Sequence, residues 1–165
     1  MVRMKVKVVG LDQHSMVPVV VITDHDEKGF IPILIGPVEA GAISTGLQGK
    51  KYERPMTHDL ITDMIDKLGA KVERIVIHDL KNETYYARIE LSTEDGEVDV
   101  DARPSDAIAI ALRTDAPIFV SDKVAARALQ VNQVDEDDEM ADFRRFLEDV
   151  TPEDFKRFNE NFKKD

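Results

Sequence analysis

A chain of 165 residues with 42% apolar content suits one domain, or one domain with a small appendage, and it is long enough to fold without staples. The absence of cysteine excludes a disulfide framework, a thiolate zinc site and a cysteine nucleophile. With 22 basic and 33 acidic residues the net charge is −11, which argues against tight non-specific binding of nucleic acid, though not against a local basic patch or an acidic site working through bound cations.

Met4–Leu11 reads as a strand, with Val6 and Val8 alternating against lysines, and the start Met1–Val6 does not look like a signal peptide. Val17–Thr23 and Phe30–Ile35 are β-branched strands joined by the turn-like segment Asp24–Gly29. Gly36-Pro37 opens a helix rich in small residues (Ala40, Gly41, Ala42, Ser44, Gly46) that ends near Gly49. Thr57 is the expected N-cap of a second helix running to Leu68, with an apolar stripe of Leu60, Ile61, Met64, Ile65 and Leu68, and Gly69 is its stop. Strands follow at Lys71–Asp79, Thr84–Ser92 and Glu97–Ala102, with Asp95-Gly96 as a hairpin turn. Pro104 opens a helix ending at Arg113, Pro117–Val120 is a short strand, and Ser121 caps one more helix.

The composition changes near Val134. An acidic run, Asp135–Glu139, precedes two short amphipathic patterns carrying Phe143, Phe146, Leu147 and then Phe155, Phe158, Phe162. The expected division is a domain over 1–134 and an acidic linker with a short helical tail over 135–165. No apolar run approaches the roughly 20 residues needed to cross a bilayer, so the expected location is cytoplasmic and no membrane partner is expected.

The chain also echoes itself. A shift of 67 residues places Asp12 on Asp79, Gly29 on Gly96, Pro37 on Pro104, Glu39 on Asp106 and Ile43 on Ile110. The expected fold is therefore α+β: a mixed, largely antiparallel sheet built from a pseudo-duplicated β-β-β-α unit, with the Thr57 helix inserted and a helical C-terminal appendage. Exposed strand edges and small-residue helices make a homodimer the expected assembly.

Two Arg-Pro segments concentrate the polar chemistry. In Arg54-Pro55-Met56-Thr57-His58-Asp59, the His and Asp fall in a first helical turn, where free N–H groups and the helix dipole favour an anion. Arg54 would bind a phosphate, and His58 with Asp59 would assist proton transfer. The plain alternative is that Asp59 complements the dipole and Arg54 pairs with a surface acid. In Asp99-Val100-Asp101-Ala102-Arg103-Pro104-Ser105-Asp106, carboxylates at a strand–helix corner suit Mg²⁺ or Mn²⁺, and Arg103 and Ser105 suit a phosphate. Here the alternative is that Asp106 caps its own helix and the strand aspartates are solvated. Arg113 shares a helix face with Asp106, and Glu39 repeats the Asp106 position in the first half.

At these residues the sequence resembles the bifunctional nuclease family. The shared phrases are Ile31-Pro32-Ile33 through Gly36 and Glu39-Ala40, then Arg54–Leu60, then Asp99–Ala109 with Arg113, and Phe143–Leu147 with Pro152–Phe155 in the tail. The resemblance implies DNase and RNase activity and matches Glu39, Arg54, His58, Asp59, Asp101, Arg103, Ser105, Asp106 and Arg113. The expected function is a metal-assisted nuclease. Glu39, Asp101 and Asp106 would hold the divalent cation, and Arg54, Arg103, Ser105 and Arg113 would hold the nucleic acid. The rival is a non-catalytic protein- or nucleotide-binding module whose Arg/Asp network is structural.

Overall fold

The computed structural model describes residues 1–13 and 15–133; His14, the acidic run and the expected tail helices lie outside the described residues. Strands β1 (Val2–Leu11), β2 (Pro18–Asp24) and β3 (Phe30–Leu34) form an antiparallel meander that leads into helix α1 (Pro37–Leu47). Helix α2 (Thr57–Lys67) follows. A second meander, β4 (Lys71–Lys81), β5 (Thr84–Thr93) and β6 (Gly96–Ala102), leads into α3 (Pro104–Thr114). The short strand β7 (Ile118–Val120) and helix α4 (Asp122–Gln133) complete the described chain.

All seven strands join one sheet in the order β3-β2-β1-β7-β4-β5-β6. Strand β7 is the centre, antiparallel to β1 and parallel to β4, so the sheet is mixed and otherwise antiparallel. The order is symmetric about β7. Each flank is a three-strand meander ending in a helix opened by proline, which is the arrangement the 67-residue echo predicts. The α2 helix is the insertion between the two copies.

Ile75, Ile77, Ala87 and Ile89 from one sheet face join Ile43 of α1, Ile108 of α3 and Val124 of α4 in one apolar core. Strand pairing fixes what the other face carries. Val76 pairs with Arg88 and Arg88 with Asp101, so Asp101 lies opposite the helical layer, while its neighbours Val100 and Ala102 pair with the core-side Ile89 and Ala87. Small residues let α1 and α3 approach closely: a Cβ added at Gly46 would stand 3.0 Å from Leu112 Cβ. At its start α4 is capped by Ser121, whose Oγ accepts from the Val124 N–H at 3.3 Å.

Helix α2 departs from expectation in two ways. Its N-cap is Met56, in extended backbone, and Thr57 is already helical. The cap bond comes from the third helical residue instead: Asp59 Oδ2 accepts from the Met56 N–H at 3.0 Å. Nor does the apolar stripe face the core as a whole. Ile61 and Ile65 pack on it, whereas Leu60, Met64 and Leu68 are exposed, because one helical position is a rotation of about 100° and the inward face here is shared with His58.

Candidate functional site

Each of α1, α2 and α3 carries an acid at its third helical position: Glu39, Asp59 and Asp106. Carboxylates there compensate the unpaired N–H groups and positive dipole of a helix start. In this fold the helix starts are close enough for those acids to be cross-linked by side chains from other elements.

Asp106 is the junction. Its Oδ1 is 3.0 Å from His58 Nε2 of α2, and its Oδ2 accepts from Arg103 Nε at 2.7 Å. The same guanidinium reaches back to α1, with Nη2 3.0 Å from Glu39 Oε1. Gly36 makes room for this contact, since a Cβ there would lie 2.2 Å from Glu39 Oε2. The result is a chain His58–Asp106–Arg103–Glu39 across three helices. His58 is its buried end, with a side chain 10% exposed, and Arg103 its open part at 65%. His58 Nδ1 has no partner among the described residues. The only buried, unsatisfied side-chain polar atom among them is Thr23 Oγ1, so Nδ1 is open to water.

Burial alone would raise the Asp106 carboxyl, but the hydrogen bonds from Arg103 and His58 outweigh it and hold the group below the usual carboxylate range. At neutral pH it is therefore ionised and can only accept, which makes His58 Nε2 the donor; in a neutral imidazole the lone pair then belongs to Nδ1. Asp106 in turn raises Arg103 further above the ordinary range.

A second arginine makes a different contact. Arg113, only 9% exposed, donates from Nε to Asp59 Oδ1 at 2.6 Å and from Nη1 to the carbonyls of Ala42 at 3.0 Å and Ala109 at 2.8 Å. Desolvation opposes ionisation of Asp59, yet Arg113 and the Met56 N–H together lower its carboxyl. The 67-residue shift relates Glu39 to Asp106 and Ala42 to Ala109. Each arginine thus bridges a pair of equivalent residues, one from each half, along the seam between α1 and α3.

The expected residues consequently separate. Glu39, His58, Asp106 and Arg103 are brought together, and Asp59 and Arg113 form an adjoining pair. Ser105 is buried in the first turn of α3, at 6% exposure, which sets it back from an arriving phosphate. Arg54 is exposed and holds no acid among the described residues. Asp101 is on the opposite sheet face and does not join Glu39 and Asp106. Those two carboxylates are held by Arg103, and among the described residues no three His, Cys, Asp or Glu stand where they could hold a metal ion. The donor set named from sequence does not fit a shared cation in this arrangement. Alternation along β6 puts Asp101 on the same face as Asp99, but which face the helices cover is a tertiary fact.

Sequence reading missed the groove beside Arg113. About 420 Å³ in volume, it lies between the end of α1, the segment 48–56 and α2, and Lys50, Lys51, Tyr52 and Asp59 are among its lining residues. Lys50-Lys51-Tyr52 was the available signal, a basic pair beside an aromatic ring in an acidic chain.

Comparison with known proteins places this geometry in a family. The model of the bifunctional nuclease domain matches residues 20–133, a span that holds every residue of the site. An uncharacterized protein of Mycobacterium tuberculosis is 40% identical over 163 residues, covering 92% of this chain and 98% of its own. Bifunctional nuclease 1 of Arabidopsis thaliana is 29% identical over 119 residues, which is 70% of this chain but 37% of the plant protein. Bifunctional nuclease 2 of the same plant is 30% identical over 110 residues, 64% of this chain and 33% of its own. The chain therefore belongs to the bifunctional nuclease domain family.

Proposed function

We propose that this protein hydrolyses phosphodiester bonds of nucleic acid at the His58–Asp106–Arg103 site. The observation that carries the reading is the oriented histidine. Ionised Asp106 fixes Nε2 as donor, and the basic Nδ1 faces water. In the proposed step Nδ1 takes a proton from a water molecule, the water oxygen bonds to phosphorus, and the P–O bond to the leaving nucleoside breaks, its oxygen taking a proton from solvent. Asp106 stabilises the imidazolium that forms. Arg103 Nη1, which has no partner among the described residues, meets a phosphate oxygen and neutralises the charge that develops on it. The names of the plant relatives support nucleic acid as the substrate class.

No step is routed through a divalent cation, because Glu39 and Asp106 would first have to leave Arg103. Cleavage of labelled single-stranded DNA and RNA in EDTA, and again with added Mg²⁺ or Mn²⁺, reads this directly. The proposal expects activity in EDTA that His58→Ala lowers by at least about a hundredfold. Full activity in folded His58→Ala would remove the histidine from the mechanism.

One observation favours the rival, a non-catalytic module. Both arginines bridge equivalent residues of the two halves, as a brace would. Under that reading wild-type protein cleaves neither substrate in either condition.

A further inference from the structure

The net charge of −11 leaves most cations with an acid to hold. Lys5 and Lys7 pair with Glu27, Lys28 with Asp26, Lys71 with Glu73, and both Lys81 and Lys123 with Asp79. Arg74, Arg88, Arg103 and Arg113 are likewise paired. Arg3, Lys67 and Arg127 hold no acid among the described residues but lie singly, whereas the segment Lys50-Lys51-Tyr52-Glu53-Arg54 gathers Lys50, Lys51 and Arg54, all exposed and likewise without an acid. Between them Tyr52 presents a ring that is 43% exposed, and Lys50 Nζ sits 4.8 Å from its centroid.

These groups border the 420 Å³ groove, a volume in the range that accepts a nucleotide-sized ligand. Lys50 and Lys51 line it together with the acids Glu53 and Asp63, which hold no cation among the described residues, and Asp59 is already neutralised by Arg113. The two lysines are the lining cations left to meet a phosphate. The ring of Tyr52 offers a stacking surface that is indifferent to base identity, and the nearby ammonium of Lys50 reinforces it by a cation–π contact. From Tyr52 the chain passes through Arg54-Pro55 straight into the first turn of α2, where His58 stands.

We infer that the groove at Lys50, Lys51 and Tyr52 is a subsite for single-stranded nucleic acid, holding one base against Tyr52 and its phosphate between the two lysines. The site selects a single strand because a base must leave its stack to meet the ring, which a duplex resists. The inference rests on the proposed nuclease function but adds residues that touch no part of the His58–Asp106 pair. It also explains how an acidic protein holds a polyanion: the contact is a short, locally unpaired basic segment rather than a basic face.

Fluorescence anisotropy with a labelled dT12 oligonucleotide, and with a 12-base-pair duplex, tests it in the full chain at several salt concentrations. The His58→Ala background suppresses cleavage during titration. The single strand is expected to bind more tightly than the duplex. Lys50→Gln/Lys51→Gln should weaken binding at least tenfold and flatten the slope of log K against log salt by about 1.4, the value for two fewer phosphate contacts on a single strand. Tyr52→Leu should weaken it about tenfold, and Tyr52→Phe should retain it. The variants lie on an exposed segment, and their thermal melts confirm that they are folded. No binding of dT12, equal binding of the duplex, or unchanged affinity in folded Lys50→Gln/Lys51→Gln would each overturn the subsite. The two readings fail separately. Binding that depends on these residues without any wild-type cleavage sinks the nuclease proposal alone, and cleavage with binding indifferent to them sinks the subsite alone.

Discussion

Arg113→Ala should cost far more stability than Arg103→Ala, although both arginines bridge the same two halves. Arg113 is almost fully buried and gives a charged hydrogen bond to Asp59 and two bonds to the carbonyls of Ala42 and Ala109. Truncation removes a charge-assisted contact worth about 1.5–3 kcal/mol and the packing of the buried stem. The carboxylate left behind is partly accessible to water, so the total stays near the lower end of the range for a broken buried pair, about 3 kcal/mol. For a chain of this size that lowers Tm by about 6–12 °C. Arg103 is mostly exposed, and removing it should cost about 1 kcal/mol or less. Calorimetry or urea unfolding of the two variants beside wild type decides the matter. The division into a brace at Arg113 and a working group at Arg103 is refuted if Arg113→Ala melts within about 2 °C of wild type, or if Arg103→Ala falls as far.

Other outcomes follow from the same contacts. Thr23 is fully buried in β2 with an unpartnered hydroxyl, so Thr23→Val should raise stability by about 1 kcal/mol, seen as a higher urea midpoint with an unchanged slope. Gly46→Ala would ordinarily favour a helix. Here the new Cβ meets Leu112 Cβ and the anchored Arg113 guanidinium, at 3.0 and 3.1 Å, so a loss of about 1–3 kcal/mol is expected in the same assay. Native Asp59 and Asp106 have lowered carboxyl pKa values, so as pH falls the unfolded chain binds protons at these positions first. Stability should be flat above about pH 4–5 and decline below it, and Asp79, lowered by Lys123 and Lys81, adds to that acid limb. Urea midpoints between pH 3 and 7 measure the limb, and Arg113→Ala should make it shallower.

Features set by local chemistry could be read from the chain. Pro37 and Pro104 mark helix starts because their missing N–H is costless there, and Asp95-Gly96 marks a hairpin because Gly96 adopts a positive φ of 124°. The duplication was legible because both halves need the same turn and helix-start residues. Partner choice was not. The sequence offers Asp59 to His58 or to its own helix dipole, whereas the fold also gives it to Arg113, which lies 54 residues away in the chain and is brought near by the packing of α2 on α3. Likewise, periodicity defines an apolar stripe on α2 but not which edge of that stripe meets the core. Asp101 was assigned to the wrong cluster for the same reason: alternation tells which residues share a face, and only the placement of the helices tells what that face confronts.

The most direct test of the central claim is the cleavage rate of a labelled single-stranded oligonucleotide by wild type and by Asp106→Asn, purified identically and assayed in EDTA. The asparagine keeps the size of the carboxylate but can neither fix the tautomer of His58 through its charge nor stabilise the imidazolium. The account predicts a loss of at least about a hundredfold in a protein that still binds the oligonucleotide. Undiminished cleavage by Asp106→Asn, or none by wild type, would contradict it.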